Sequence, residues 1–265
     1  MRKYVNWFVL FFIVGVAGSM LVAAVARVRD AANRIGCRNN CKHIGLAVHN
    51  YHDTFKYFPP AAMPNPTLAP EHRFSWLFSI FPYMEADNIY AQCDKNKSWD
   101  AEENRFAALA PINWYHCPGY PEWPPVSGPF ATNYLGIAGV GKDAVQLPPD
   151  DPKAGFFGYD RKISFEDIKD GTCYTLIAVE TAWPGGAWTA AGPDTVRGLD
   201  REASPYFDVP GQFGGNHRGG TNVLLADGSV HFLKTPFDPA TFEAMATIAG
   251  GEMISNKQFK VDRPD

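Results

Sequence analysis

The 265-residue chain contains no G-x-x-x-x-G-K-[ST] loop, no H-E-x-x-H pair and no G-x-S-x-G elbow. The common phosphate-cradle, zinc-hydrolase and serine-hydrolase signatures are therefore missing. A basic surface is missing too. Lys and Arg number 24 against 28 Asp and Glu, a net charge of −4, which excludes the electrostatic footprint of a nucleic-acid binder. No internal repeat or low-complexity tract suggests a solenoid or a linker array. Cysteine is scarce and odd in number: Cys37, Cys41, Cys93, Cys117 and Cys173. A fully paired disulfide framework is thus excluded, and the connectivity of any partial one is not readable from spacing.

The most informative absence is local. Residues 4–26 hold no charge and no proline. At ~1.5 Å per residue, such a run as helix spans the ~30 Å hydrocarbon core of a bilayer. Helical character continues past Arg27, so the spacing predicts one long helix, half in lipid and half outside it. A cleaved signal peptide is the competing reading, with Arg2 and Lys3, an apolar run and Ala24-Val25-Ala26 as the cut site.

Two apolar stripes follow the span. Val28, Ala32 and Ile35 lie on one side. Cys37, Cys41, Ile44, Val48, Tyr51 and Phe55, spaced 4-3-4-3-4, lie on another. The second stripe is expected to dock on the chain's own globular domain, and the first to stay free for neighbours. Charge alone does not settle topology. Arg27, Arg29, Arg34, Arg38 and Lys42 follow the span against Arg2 and Lys3 before it, so a literal positive-inside count puts the domain in the cytoplasm. The cysteines and the aromatic, proline-rich loops favour the opposite side, and an extracytoplasmic domain is the expectation here.

Cys37-Arg-Asn-Asn-Cys-Lys-His-Ile-Gly-Leu-Ala-Val-His-Asn-Tyr-His-Asp with Phe58-Pro59-Pro60 resembles the start of the DUF1559 family. That family is abundant in planctomycetes and begins like a type IV pilin or a type II secretion pseudopilin. His217, nine residues, then Asp227-Gly228 resembles its H-x9-DG signature. Phe74-Ser75-Trp76, Pro82-Tyr83-Met84-Glu85, Cys117-Pro118 and Asp170-Gly171-Thr172 are similar to further landmarks. The resemblance implies a pilin-like fold and a prepilin-type N-terminus. Prepilins resemble one another in a Gly-Phe-Thr-Leu-x-Glu processing site, and the register counted from Cys37 puts Met1 at its glycine and Asn6 at its glutamate. The expectation is that this chain keeps its own N-terminus.

The fold class is expected to be α+β. A transmembrane and docking helix over residues 1–56 packs on an extracytoplasmic domain over 57–265. That domain is mainly antiparallel sheet with long Pro/aromatic loops. Residues 74–94 read as partly helical. Ser98 is a plausible cap for a helix over 99–109, and 111–128 read as a long aromatic loop. Residues 134–138 and 172–181 read as strands, and 184–198 and 201–210 as loops. Ser164 and Asp167 resemble a capping arrangement. Asp238, Pro239 and the glycines at 250 and 251 bracket a helix over 239–249, and 252–261 close the chain as strand or tail. The strongest local signal is a hairpin turning on Asp227-Gly228, read as a two-residue type I′ turn that sets Leu225 opposite Val230 and Val223 opposite Phe232.

Several side chains are candidates for chemistry. His217 and Asp227 invite a dyad or metal reading. Ten residues of straight strand would separate them by ~33 Å, so a turn residue plus a structural histidine is preferred. Cys37 and Cys41, one helical turn apart, resemble half a metal site. No Cys/His pair follows at zinc-finger spacing, so packing or a disulfide to the domain is favoured. His43, His49 and His52 lack the i, i+4 pairing of a helical zinc site. Glu180, Asp194, Asp200 and Asp208 lack EF-type calcium spacing. Trp114, Trp123, Trp183 and Trp188 in Pro/Gly loops are the candidate aromatic platform for a glycan or solute.

No cofactor, metal or catalytic residue is therefore expected. The preferred function is a non-enzymatic, pilin- or pseudopilin-like envelope protein, single-pass in the cytoplasmic (inner) membrane. Lateral association would run through its helix, where Gly15, Ala17, Gly18 and Ser19 permit close packing. The alternative is an anchored extracytoplasmic solute- or glycan-binding module.

Overall fold

The computed structural model describes residues 2–84, 87–120, 128–182, 185–203, 206–207, 212–252 and 254. Helix α1 runs unbroken over Arg2–Phe55, as its apolar, proline-free sequence requires. It ends where Lys56 enters a left-handed conformation at φ 66° and its N–H bonds back to the His52 carbonyl. The pair Pro59-Pro60 then forbids continuation. Helix α1 is long and apolar enough to cross a membrane, and its most apolar 18-residue window has none of its residues buried.

Lower down, the helix joins the domain. Cys37, Cys41, Ile44, Val48 and Tyr51 are all buried, together with Ala47, whereas Val28 and Ile35 are exposed. The two stripes thus behave as their periodicity indicates. Phe55, the last residue of the docking stripe, is 47% exposed and lies beside Tyr51 and Tyr57.

The domain is built on a five-stranded sheet ordered β3-β1-β2-β4-β5. The strands are β1 (Tyr134–Val140), β2 (Leu176–Glu180), β3 (Val196–Leu199), β4 (Gly220–Leu225) and β5 (Val230–Lys234). All neighbours are antiparallel except β1 and β3. Strand β3 falls where the sequence reads as a Gly- and Trp-containing loop. It is four residues long and pairs at the sheet edge, too short for an apolar alternation to show.

The sheet is covered on both faces. One face, with Leu224 and Val230, packs with α1, with Trp76, Phe78 and Phe81 from the segment before β1, and with Trp188 from the loop between β2 and β3. The other, with Val223, Leu225 and Leu233, packs against Phe242 and Met245 of α5 (Pro239–Ala246). Asp238 caps α5 by accepting a hydrogen bond from the Thr241 N–H at 2.9 Å.

Among the described residues, three short α-helices precede the sheet: α2 (Trp76–Ile80), α3 (Asp87–Gln92) and α4 (Arg105–Ala108). The helix expected from Ser98 is thus reduced to its last turn. Asn104 explains this. Its amide donates to the carbonyls of Asp94 and Ser98, and its Oδ1 accepts from the Asp94 N–H, tying residues 94–104 into a loop. Ser164 and Asp167 do form the reciprocal cap, with Ser164 N–H and Oγ both donating to Asp167 Oδ2. Of the expected strand at 172–181, only Leu176–Glu180 is extended. The closing segment beyond residue 254 lies outside the described residues.

The hairpin is present with a different turn. Leu224 pairs with Val230, Val223 with His231 and Asn222 with Phe232, one residue out of the expected register. The Gly228 N–H bonds to the Leu225 carbonyl at 2.9 Å and the Leu225 N–H to the Ser229 carbonyl at 3.0 Å. With Gly228 at φ 82°, this is a type I turn closed by a glycine bulge over Ala226, Asp227 and Gly228. Both turn types place a glycine after Asp or Asn, so the dipeptide alone does not choose between them.

Candidate functional site

The chemistry-bearing side chains of the described residues converge where α1 meets the domain. Cys37 reaches the site from the helix. Gly36 makes the approach possible, because a Cβ there would lie 3.0 Å from Pro118 Cγ. Cys117 sits on a loop that is fastened from both sides. Asn133 Oδ1 accepts from the Cys117 N–H at 2.9 Å while its amide donates to the Thr181 carbonyl at 2.9 Å. From the helix, Asn40 donates to the His116 carbonyl at 2.9 Å.

His217 enters from the opposite strand end. It precedes a tight turn in which it bridges to Gly220 at the start of β4. Asn216 donates to the Gly119 carbonyl, so the His217 turn and the Cys117 loop are joined directly. Glu180, the last residue of β2, completes the group. Its Oε2 accepts from the Asn222 N–H at 2.7 Å and its Oε1 from the Asn222 amide at 3.0 Å.

The distances are short and the surroundings dry. Cys37 Sγ and Cys117 Sγ are 2.8 Å apart, and Cys117 Sγ lies 3.6 Å from His217 Nε2. His217 Nε2 lies 3.6 Å from Glu180 Oε1, with both side chains 1% exposed. His217 Nδ1 is buried without a hydrogen-bond partner. Cys41, one helical turn from Cys37, is also buried.

Such a cluster distributes charge. The hydrogen bond from Cys37, with help from His217, outweighs burial and brings the Cys117 thiol down to about 6. Its partner Cys37 is pushed well up by that same hydrogen bond and by burial. Burial pulls the His217 imidazolium down, but Cys117 and Glu180 together outweigh it and raise it to about 10. Cys117 is thus the more acidic thiol of the pair, and the His217 imidazole, between Cys117 and the Glu180 side chain, favours its thiolate.

Cys37, Cys117 and His217 place three ligand atoms within 4.8 Å of one another, so the set could hold a soft divalent cation. The fit is imperfect. Two thiolates on a tetrahedral zinc with ~2.3 Å bonds stand roughly 3.8 Å apart, against 2.8 Å here. The outer nitrogen of a ligating histidine also ordinarily donates a hydrogen bond, and His217 Nδ1 does not.

The remaining sequence candidates are dispersed. Asp227 lies at the other end of β4 from His217. Its Oδ1 accepts from the Ser229 N–H at 2.9 Å, the role of a turn residue. Trp188 is fully buried against Phe81 and Tyr115 and is a core side chain, so it cannot serve an exposed platform. Trp114 is half-buried beside His43. Trp123 and Trp183 lie outside the described residues. A cleft of about 530 Å³ opens between Pro70, Leu147, Pro149 and Arg161, and neither Trp114 nor Trp188 lines it.

Arg161 also lines that cleft. Its guanidinium donates to the carbonyls of Ala138, Ala144, Leu147, Gly155 and Phe157. A lone arginine after Tyr-Asp carries no signal for such a cage. The convergence of Cys37, Cys117, His217 and Glu180 was equally hidden, because Cys117 is 80 residues from Cys37 and 100 from His217.

A family model described as "Protein of unknown function (DUF1559)" matches residues 26–208. That is more than half of the 265-residue chain, and the chain belongs to this family. Nothing matches among curated proteins or among solved structures.

Proposed function

We propose that the chain is a single-pass, pilin- or pseudopilin-like envelope protein with a structural, non-enzymatic role. It would sit in the cytoplasmic membrane with its domain on the extracytoplasmic side. The observation that carries this reading is the division of labour along α1. Phe11, Phe12, Ile13, Leu21, Val22 and Val28 stand bare, while Cys37 to Tyr51 supply one wall of the domain's core. A bare apolar helix satisfies its own backbone in lipid and is unfavourable in water. The docked half fixes the domain to that anchor without a flexible linker.

Neighbours would meet the exposed half. Nothing approaches within 4 Å of where side chains on Gly15 and Gly18 would project, so a second helix could pack closely there. The site chemistry favours structure over turnover, since Cys37, Cys117, His217 and Glu180 are all buried.

The test is fractionation and protease protection in a cell carrying the full chain. Carbonate-resistant membrane association and digestion of the domain in spheroplasts, but not in intact cells, are expected. A freely soluble chain, or a domain reached only after lysis of the spheroplasts, would refute the assignment. Crosslinking between cysteines placed at residues 15 and 18 would report lateral contact, and its absence would leave a monomeric anchor.

A further inference from the structure

The pair Cys37 and Cys117 has no role in membrane anchoring, yet it lies at the seam between anchor and domain. We infer that Cys37 and Cys117 are a disulfide-forming pair, and that the bond clips α1 to the domain. The idea that it forms in the cell rests on the extracytoplasmic placement proposed above; the idea that the pair can form it rests on geometry alone.

Three features converge on this pair. The sulfurs face each other at 2.8 Å, inside the contact distance of two unbonded sulfurs and well inside that of two zinc-bound thiolates. Both side chains are buried, and their backbones are held by groups independent of the sulfurs. Asn133 and Asn40 fix the Cys117 loop, the Tyr134 hydroxyl reaches the Cys37 carbonyl at 3.5 Å, and Gly36 admits Pro118. Finally, His217 stands 3.6 Å from Cys117 Sγ and is itself held by Glu180. A cation beside a thiol favours the thiolate, which is the nucleophile in disulfide exchange.

The chemistry balances with an external disulfide as oxidant. The Cys117 thiolate attacks one sulfur of that disulfide, breaking its S–S bond and expelling one thiolate. Cys37 then loses its proton and attacks Cys117 Sγ, forming the Cys37–Cys117 bond and expelling the second thiolate. Two electrons pass to the external disulfide, and the two protons end on its two thiols. The exchange takes place as the domain closes on the helix, before the sulfurs are buried; afterwards the bond is shielded. It closes a loop of some 80 residues, long enough for a large loss of unfolded-chain entropy.

The experiment uses the full chain in detergent. Cells are quenched with an alkylating reagent before lysis, and peptides are mapped with and without reductant. In parallel, purified chain is unfolded and reduced, then refolded in detergent with oxidised glutathione, and zinc is measured by elemental analysis on the chain as isolated. A Cys37–Cys117 crosslink, with Cys41, Cys93 and Cys173 alkylated, is expected in both arms. Reduction should lower Tm by roughly 10 °C, and Cys37→Ser/Cys117→Ser should match the reduced wild type with no further loss on reduction. Failure of glutathione to link the two, linkage of Cys37 to Cys41 instead, or one zinc per chain would overturn the proposal. A bond formed by glutathione but absent in quenched cells would leave the pair standing and refute the extracytoplasmic placement.

Discussion

Gly45 of α1 lies against Leu224 of β4 so closely that a Cβ on Gly45 would come within 2.8 Å of Leu224 Cδ1. Helix α1 and the sheet thus meet closely at this point. Glycine inside a helix costs about 1 kcal/mol relative to alanine, so a purely local view favours Gly45→Ala. Overpacking a buried site costs about 1–3 kcal/mol, and here it prevails. Gly45→Ala should destabilise the domain by about 1 kcal/mol in chemical denaturation. The loss should shrink in a Leu224→Val background, where the opposing methyl is drawn back; an equal loss in both backgrounds would mean the contact is not limiting.

The turn at Asp227-Gly228 separates geometry from chemistry. Gly228 has φ 82°, and space around it is adequate, with His49 Nε2 3.6 Å from where a Cβ would lie. The cost of Gly228→Val is therefore backbone strain, about 1–3 kcal/mol. Asn can accept from the Ser229 N–H as Asp227 does, so Asp227→Asn should change stability by no more than about 0.5 kcal/mol. Urea titration of both variants checks this, and a large effect of the second would assign the carboxylate something beyond the turn.

Arg161 should be the least replaceable surface-adjacent side chain. It is 5% exposed and joins five backbone carbonyls. Burial lowers its guanidinium to about 10. Arg161→Met should cost about 3 kcal/mol or more, because it leaves buried carbonyls unpaired. Lysine has three donors on one point and cannot replace the fork, so Arg161→Lys should recover less than half of the loss in the same measurement.

Acid should weaken the domain before its carboxylates protonate. Burial lowers His116 from 6.5 to about 4 and also lowers His231. The unfolded chain then binds more protons than the native one below pH 6.5, so stability falls between about pH 6.5 and pH 4. In the thiol form, Cys117 and His217 act oppositely. Cys117, lowered from 9.0 to about 6, adds stability that is complete above 9 and lost as pH falls through 6. His217, raised from 6.5 to about 10, adds stability that is complete below 6.5 and lost as pH rises through 10. Their slopes oppose each other between pH 6.5 and 9, which predicts a nearly flat profile there and a decline towards pH 10. Thermal unfolding across pH, with and without His116→Asn, tests the acid limb.

What the sequence determined by itself lies in runs and periods. Residues 4–26 impose a bare apolar helix because no charge or proline interrupts them. The 4-3-4-3 stripe from Cys37 to Tyr51 announces a docked face because helical periodicity projects it to one side. The hairpin and the α5 cap were legible because Asp-Gly and Asp-Pro constrain the backbone locally. Tertiary structure decided the rest. The exact register of β4 on β5 depends on which residue takes the bulge, the edge strand β3 exists only through its pairing with β1, and Asn104 stops a helix by tying residues 94–104 into a loop. It also decided the meeting of Cys37, Cys117, His217 and Glu180. These residues come from a helix, a loop, a turn and a strand end. No local spacing encodes their approach, because packing of α1 on the Cys117 loop at Gly36 and on the sheet at Gly45 is what brings them together.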